Sequence, residues 1–328
     1  DVRPPAHPDD LIDQSGKADG STFNSALLLD DALFEDAAYL TAAQIQSFLA
    51  DTPYGDTRCF LADSVGSDGR AVSAHIAEIA ATYRINPLVL LVKLQVEASL
   101  IAAVTAPSQY LLDRAMGCGC HDGDPSCSAG QKGLVPQIGC AAFELRRYLN
   151  DLDTKGSTVS GWAVGQSKRT SEGISLRPAN RATAALYTYT PWVLQGTGGN
   201  WLFWNVFQRF SRQVSSTTPN HRWIGGACAT DSGCAILDGL CLAGASAAPF
   251  CTRPCDRYCP DSTAPFTSTT FCADLGTSLS GLPGGFCLPR CDSELFPDNG
   301  GCATGFRCSR AERYGEPGIF KDVCWPGT

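Results

Sequence analysis

The sequence predicts a mainly α-helical domain followed by a small disulfide-rich domain of irregular or β structure. Apolar residues recur at helical spacing from Phe23 to Arg212. Twelve of the seventeen cysteines lie between positions 228 and 324, where helical periodicity almost vanishes. Between them runs SSTTPN, residues 215–220, without any hydrophobic anchor, as suits a linker. The expected divisions are a leader over 1–22, a helical domain over 23–214, a linker over 215–225 and a Cys-rich module over 226–328.

Residues 1–22, DVRPPAHPDDLIDQSGKADGST, are rich in Pro, Asp and Gly and carry no apolar period, which predicts a flexible leader. Helices are expected over Leu27–Tyr39, over Thr41–Leu49 with Thr41 as N-cap, and over Arg70–Tyr83. The next has Asn86 as N-cap and Pro87 in the first position, runs to Ile101 and is apolar on nearly every side, the mark of a central core helix. Further helices are expected near Ser108–Ala115, Leu134–Leu149, Arg181–Tyr187 and Asn200–Arg212. The segments 116–132 and 150–180 read as Gly-, Ser- and Asp-rich loops, with a short hairpin expected between Lys155 and Ser175. In the Cys-rich module, Cys228 with Cys234 resembles Cys302 with Cys308, and Phe250-Cys251 with Cys255 resembles Phe286-Cys287 with Cys291, so duplicated small modules are expected.

At 328 residues, with 18% charged and 44% hydrophobic side chains, the chain is long enough for two folded domains. It has no apolar run of about 18 residues that could span a bilayer. Its start at Asp1 predicts a removed export signal. So many cysteines without a Cys/His cluster of zinc spacing point to disulfides in an oxidising compartment, hence a secreted protein, and to no metal or other cofactor. Five cysteines (59, 118, 120, 127, 140) precede the module, so the odd one belongs to this group. Net charge is −8, of which eleven acidic and seven basic residues from Gly226 onward contribute −4. Such a balance disfavours nucleic acid as a partner. Any anionic polymer would likewise have to be recognised at short range, by hydrogen bonds and stacking.

The chemistry centres on Glu97, a carboxyl group near the end of the apolar helix. Desolvation disfavours its charged form, and a protonated carboxyl is what a general acid requires. The alternative is structural: Lys93 lies four residues earlier on the same face, and the two would pair at the solvent edge of a partly exposed helix for about 0.3–0.5 kcal/mol.

The stretch 85–101, INPLVLLVKLQVEASLI, resembles the glutamate-bearing helix of secreted bacterial lysozyme-like proteins related to lytic transglycosylases. Four further segments resemble that group in the same order: AAQIQSFL (42–49), LLDRAMGCGCHDGDPSC (111–127), GLVPQIGCAAFELRRYL (133–149) and ATAALYTYTPW (182–192). The chain departs from that pattern at Cys118, where an aromatic residue is usual, and at Cys140, where glycine is usual. The resemblance implies a lysozyme-like fold, peptidoglycan or a related aminosugar polymer as partner, and Glu97 as the catalytic acid. It also favours a Cys120–Cys127 disulfide and leaves Cys59, Cys118 and Cys140 open, with one of them unpaired.

A second carboxylate, if the reaction uses one, would come from Asp113, Asp122 or Asp124, although the latter two serve equally as turn residues in HDGDP and Asp113 as a cap or ion-pair partner. A single-acid route, in which the sugar's own hydroxyl attacks, needs none. The resemblance implies Gln137 in GLVPQ as a substrate contact, although a glutamine at a helix start is unremarkable by itself; Tyr187 and Tyr189 in LYTYTP are the other expected contacts, with core packing the alternative for both. Trp192, Trp201 and Trp204 resemble a sugar-stacking set, though WLFW in a helix also reads as core. No HExxH or GxSxG pattern is present, and His121 reads as a solvated turn residue. Two other functions compete: a glycan-binding protein without turnover on the same scaffold, and a protein- or surface-binding Cys-rich tail for which the front domain is only support.

Overall fold

The computed structural model describes residues 5–15, 22–55, 57–120, 127–217, 220–243, 248–262, 267–275, 284–292, 302–303 and 305–327. The chain divides into two compact units, the first ending at Gln213 and the second beginning at Val214. Helix dominates the first unit, and all but two short strands lie in the second, so "mainly α" describes the first unit alone.

The first unit is built from α1 (Asp31–Phe34), α2 (Ala42–Ala50), α3 (Val72–Tyr83), α4 (Pro87–Ala98), α5 (Gln109–Leu112), α6 (Leu134–Lys155), α7 (Arg181–Tyr189) and α8 (Gly199–Thr217), whose last residues pass into the second unit. Local chemistry sets several starts. Thr41 and Gln44 form a reciprocal capping box on α2, and Asn86 caps α4 with Pro87 following it. Helix α4 is the centre, buried at every residue except Val96. Helix α3 packs against α2, α4 and α6, and α6 packs in turn on α4 and α7. The expected hairpin is present as β1 (Lys168–Arg169) and β2 (Ser175–Leu176), antiparallel.

Several elements differ from expectation because tertiary hydrogen bonds replace helical ones. The helix expected over 27–39 shrinks to α1: Leu28 N–H donates to Thr183 Oγ1 (3.0 Å) and Leu29 C=O accepts from Asn180 Nδ2 (2.7 Å), so neither group is left for an α-helical ladder. Helix α4 stops at Ala98, not Ile101, because Ser99 turns left-handed (φ 52°) and Gln95 Oε1 accepts the N–H groups of Ile101 and Ala102 (3.0 Å each). The expected helix from Ser108 to Ala115 is the single turn α5, with Ser108 as its cap. Helix α6 continues to Lys155 and α8 to Thr217, six and five residues beyond the expected ends.

Residues 5–15, expected as part of a flexible leader, are docked. Asp10 and Gln14 are buried, Asn205 Nδ2 donates to the carbonyls of Asp10 (2.7 Å) and Ile12 (2.8 Å), and Asn205 Oδ1 accepts from Gln14 N–H (2.8 Å). Composition predicted mobility; polar side chains from α8 supply the partners that this Pro- and Asp-rich segment lacks within itself.

The second unit holds β3 (Leu240–Leu242), β4 (Phe250–Thr252), β5 (Pro254–Cys255), β6 (Thr270–Asp274), β7 (Gly285–Pro289), β8 (Phe306–Glu312) and β9 (Phe320–Pro326). Its twelve cysteines form three successive groups of four, each paired first to third and second to fourth: 228–241 and 234–251, 255–272 and 259–287, 291–308 and 302–324. In each group the third and fourth cysteines face one another across an antiparallel pair of strands, as Cys241↔Cys251, Cys272↔Cys287 and Cys308↔Cys324. The unit is therefore a triplicate. The match of Cys251 and Cys255 to Cys287 and Cys291 is in phase with it. The match of Cys228 and Cys234 to Cys302 and Cys308 is not, since it sets first and second positions against second and third.

A small core of Phe250, Phe271, Leu275, Phe286, Leu288 and Val323 joins the strands. A core of that size is thin for a segment so poor in helix, and disulfides worth about 2–4 kcal/mol each supply the difference.

Candidate active site

Glu97 lies in the last turn of α4 and is 6% exposed. Its Oε1 accepts a short hydrogen bond from Lys93 Nζ, and Lys93 is itself 1% exposed. The pair is thus the i,i+4 arrangement read from the sequence, but it sits in the interior instead of at a solvent edge. Taking each ion out of water costs several kcal/mol, and such pairs are often replaceable by apolar residues without loss of stability. A buried pair is therefore weak ground for inferring a stabilising role.

Three other segments close on the pair. From the end of α7, Thr190 Oγ1 accepts from Lys93 Nζ (3.2 Å), and the Tyr189 ring lies beneath the same ammonium, 4.0 Å from its centroid. From the loop before α6, Met116 C=O accepts from Tyr189 O–H (2.6 Å). From the start of α6, the fully buried Gln137 amide takes up that loop: its Oε1 accepts from the N–H groups of Met116 and Cys118 (3.2 Å each), and its Nε2 donates to the carbonyls of Cys118 and Gln131 (2.7 Å each). The Cys118–Cys140 disulfide joins the same loop to α6. Burial, then the neighbouring Glu97 carboxylate, holds the Tyr189 phenol well above its ordinary range, so it stays a hydrogen-bond donor.

The expected contacts therefore separate. Tyr189 touches the Lys93–Glu97 pair. Gln137 braces the loop that receives Tyr189, with its amide bonded to backbone groups and to the Cys120 sulfur (3.8 Å). Tyr187 is core: fully buried, packed on Trp162 with centroids 5.0 Å apart, its hydroxyl donating to Ser25 C=O (3.1 Å). Asp113 caps α5 and accepts from Gln109 Nε2 (2.8 Å). Asp122, Asp124 and His121 lie outside the described residues. Trp201 and Trp204 are buried, whereas Trp192 is 40% exposed. Cys120 pairs with Cys127, Cys118 with Cys140, and Cys59 is the unpaired cysteine, buried with its thiol pushed up to about 12 by desolvation.

Two contributors carried no periodic signal. Thr190 sits between two tyrosines and a proline, with no pattern of its own to mark it. Gln95 faces a buried cluster: its Nε2 donates to Asp10 Oδ2 (2.6 Å), and Asp10 Oδ1 accepts from Tyr54 O–H (2.6 Å). Desolvation raises the Asp10 carboxyl above its ordinary value against the pull of those two hydrogen bonds. This cluster braces α4 two residues before Glu97.

The described residues offer no thiolate cluster for a metal: the three close cysteine trios, 228/234/251, 255/259/287 and 291/302/324, consist of sulfurs already in disulfides. The eight disulfides, and the absence of any helix among the described residues long and apolar enough to cross a membrane, fit a secreted or extracellular protein. No family model, curated protein or solved structure matches this chain.

Proposed function

We propose that this protein is a secreted glycosidase of lysozyme or lytic-transglycosylase type, cutting the β-1,4 bond of peptidoglycan with Glu97 as general acid. The observation that carries this reading is convergence. Of the five segments that resemble lysozyme-like proteins, 85–101 and 182–192 meet at the Lys93–Glu97 pair through Tyr189 and Thr190, and 111–127 and 133–149 support Tyr189 through Met116 and Gln137.

The chemistry follows from the pair. Lys93 Nζ donates a hydrogen bond to Glu97 Oε1, which fixes the orientation of the carboxyl group. In the reaction Glu97 delivers a proton to the glycosidic oxygen, the C1–O bond breaks with its electrons going to that oxygen, and an oxocarbenium-like centre develops at C1. Water or the sugar's own hydroxyl then attacks C1, and the Glu97 carboxylate accepts the proton released. Lys93 orients the carboxyl and favours its negative charge after proton delivery, and the Tyr189 ring holds the Lys93 ammonium in place. The Cys-rich unit would hold the enzyme at a surface or shield it from proteases.

One observation favours the second reading, a glycan-binding protein without turnover: Glu97 is nearly buried and already engaged by Lys93. The test is mass spectrometry of soluble fragments released from purified peptidoglycan. The native chain is expected to release them and Glu97→Gln to release none, with reducing or anhydro ends identifying the attacking group. A folded native chain that is retained on the wall but releases nothing would establish the binding reading instead.

A further inference from the structure

The six disulfides of the second unit are unequally protected. Of all the half-cystines in the chain, Cys308 in β8 alone is exposed. The third cysteines of the other two groups are Cys241, half-buried, and Cys272, buried. Cys291, the partner of Cys308, is 8% exposed, and the neighbouring bond joins half-buried Cys302 to Cys324, 1% exposed. Along β8, exposed Arg307 and Arg310 flank Cys308, so the nearest charges in the strand are positive.

The two disulfides of each group also touch one another. In all three groups the first, second and fourth cysteines, 228/234/251, 255/259/287 and 291/302/324, hold their Sγ atoms within 4.8 Å of one another. The first is bonded to the third and the second to the fourth, so one sulfur of one bond lies beside both sulfurs of the other. Only in the third group is the far end of that first bond an exposed residue. A thiolate released at Cys291 would therefore find the Cys302–Cys324 bond within reach without crossing solvent.

We infer that Cys308 is a modification site for a low-molecular-weight thiol, and that the third group is the exchange-labile part of the chain. The thiolate of the small molecule attacks Cys308 Sγ, a new S–S bond forms there, and the Cys291–Cys308 bond breaks with its electrons going to Cys291. The Cys291 thiolate attacks Cys324 Sγ, and the Cys302–Cys324 bond breaks with its electrons going to Cys302, which takes a proton from water. Cys302 is the better leaving sulfur, because a half-buried thiolate keeps hydration that a buried one loses. Two disulfides and one thiol become a mixed disulfide on Cys308, a Cys291–Cys324 bond and one thiol, so neither oxidant nor reductant is consumed. The flanking arginines favour approach of the attacking anion. This inference concerns the second unit alone and is independent of the glycan reading.

The test is incubation of the native full chain with reduced glutathione in mildly alkaline buffer, followed by acid quenching, alkylation of free thiols and peptide mapping by mass spectrometry. The first glutathione adduct is expected on Cys308 with the alkyl label on Cys302, forming at least about tenfold faster than any opening in the first two groups. In concentrated urea that preference should vanish, because unfolding exposes all six bonds alike. A first adduct on another half-cystine, equal rates in the three groups, or the same preference in urea overturns the inference. An alkyl label on Cys291 with the Cys302–Cys324 bond intact overturns the transfer between the two bonds.

Discussion

In the first unit, α4 removes nine consecutive residues from water, Pro87 to Gln95, and around it the fold tolerates a buried Lys93–Glu97 pair and a buried Asp10. In the second unit, the described residues gather a far smaller core, the chain is tied by six disulfides, and charged groups stay near the surface, as in the Arg257–Glu316–Arg313 cluster. The difference shows where each unit can host chemistry. A generous apolar core can offset the cost of interior charges and hold them in one geometry; a thin core stapled by covalent links cannot.

Reduction should break this comparison most visibly. With each disulfide worth about 2–4 kcal/mol, a strong reductant is expected to unfold the second unit while the first keeps its helical circular dichroism. Limited proteolysis with mass mapping should then leave a fragment ending near residue 213. Loss of both units together would mean that the first also depends on its two disulfides.

The interior pair comes next. Lys93→Met strands a buried carboxylate and is expected to cost about 3–5 kcal/mol in denaturant unfolding, whereas the double change Lys93→Met with Glu97→Leu should recover most of it. A double variant no more stable than the single would show that the pair earns its place by stability after all.

A smaller effect is expected at Asp10. Its folded-state carboxyl lies above the ordinary 3.8, so the stability it contributes is present below that value and is lost as pH rises through the folded one. Asp10→Asn should therefore gain on the native chain as pH rises from 4 to 7, read from paired unfolding curves; parallel curves would refute a raised value. Cys59 offers a chemical count: no thiol should react in the native protein and one after unfolding without reductant, because burial and a thiol pushed up to about 12 both suppress the thiolate.

The smallest effect belongs to the surface of the second unit. Hydrogen bonds from Arg257 and then Arg313 hold Glu316 down at about 2, so its contribution is present above the ordinary 4.5 and lost as pH falls toward 2. An NMR titration should place its midpoint there, and Arg257→Ala should move it upward.

What the sequence determined by itself was local and periodic. Thr41 and Asn86 marked helix starts because their side chains satisfy N–H groups a few residues away. The continuous apolar run of α4 announced a central helix, Lys93 and Glu97 announced a pair, and the cysteine count placed the odd thiol before the Cys-rich part. Tertiary structure decided what depends on residues far apart in the chain. It turned the Lys93–Glu97 pair inward, assigned Gln137 to bracing and Tyr187 to the core, and left Cys59 as the free thiol. It also tied residues 5–15 to α8 and phased the cysteines of the second unit into three groups. Helical spacing and capping act over one turn; burial, disulfide pairing and the fate of a polar side chain are set by neighbours that only folding brings within reach.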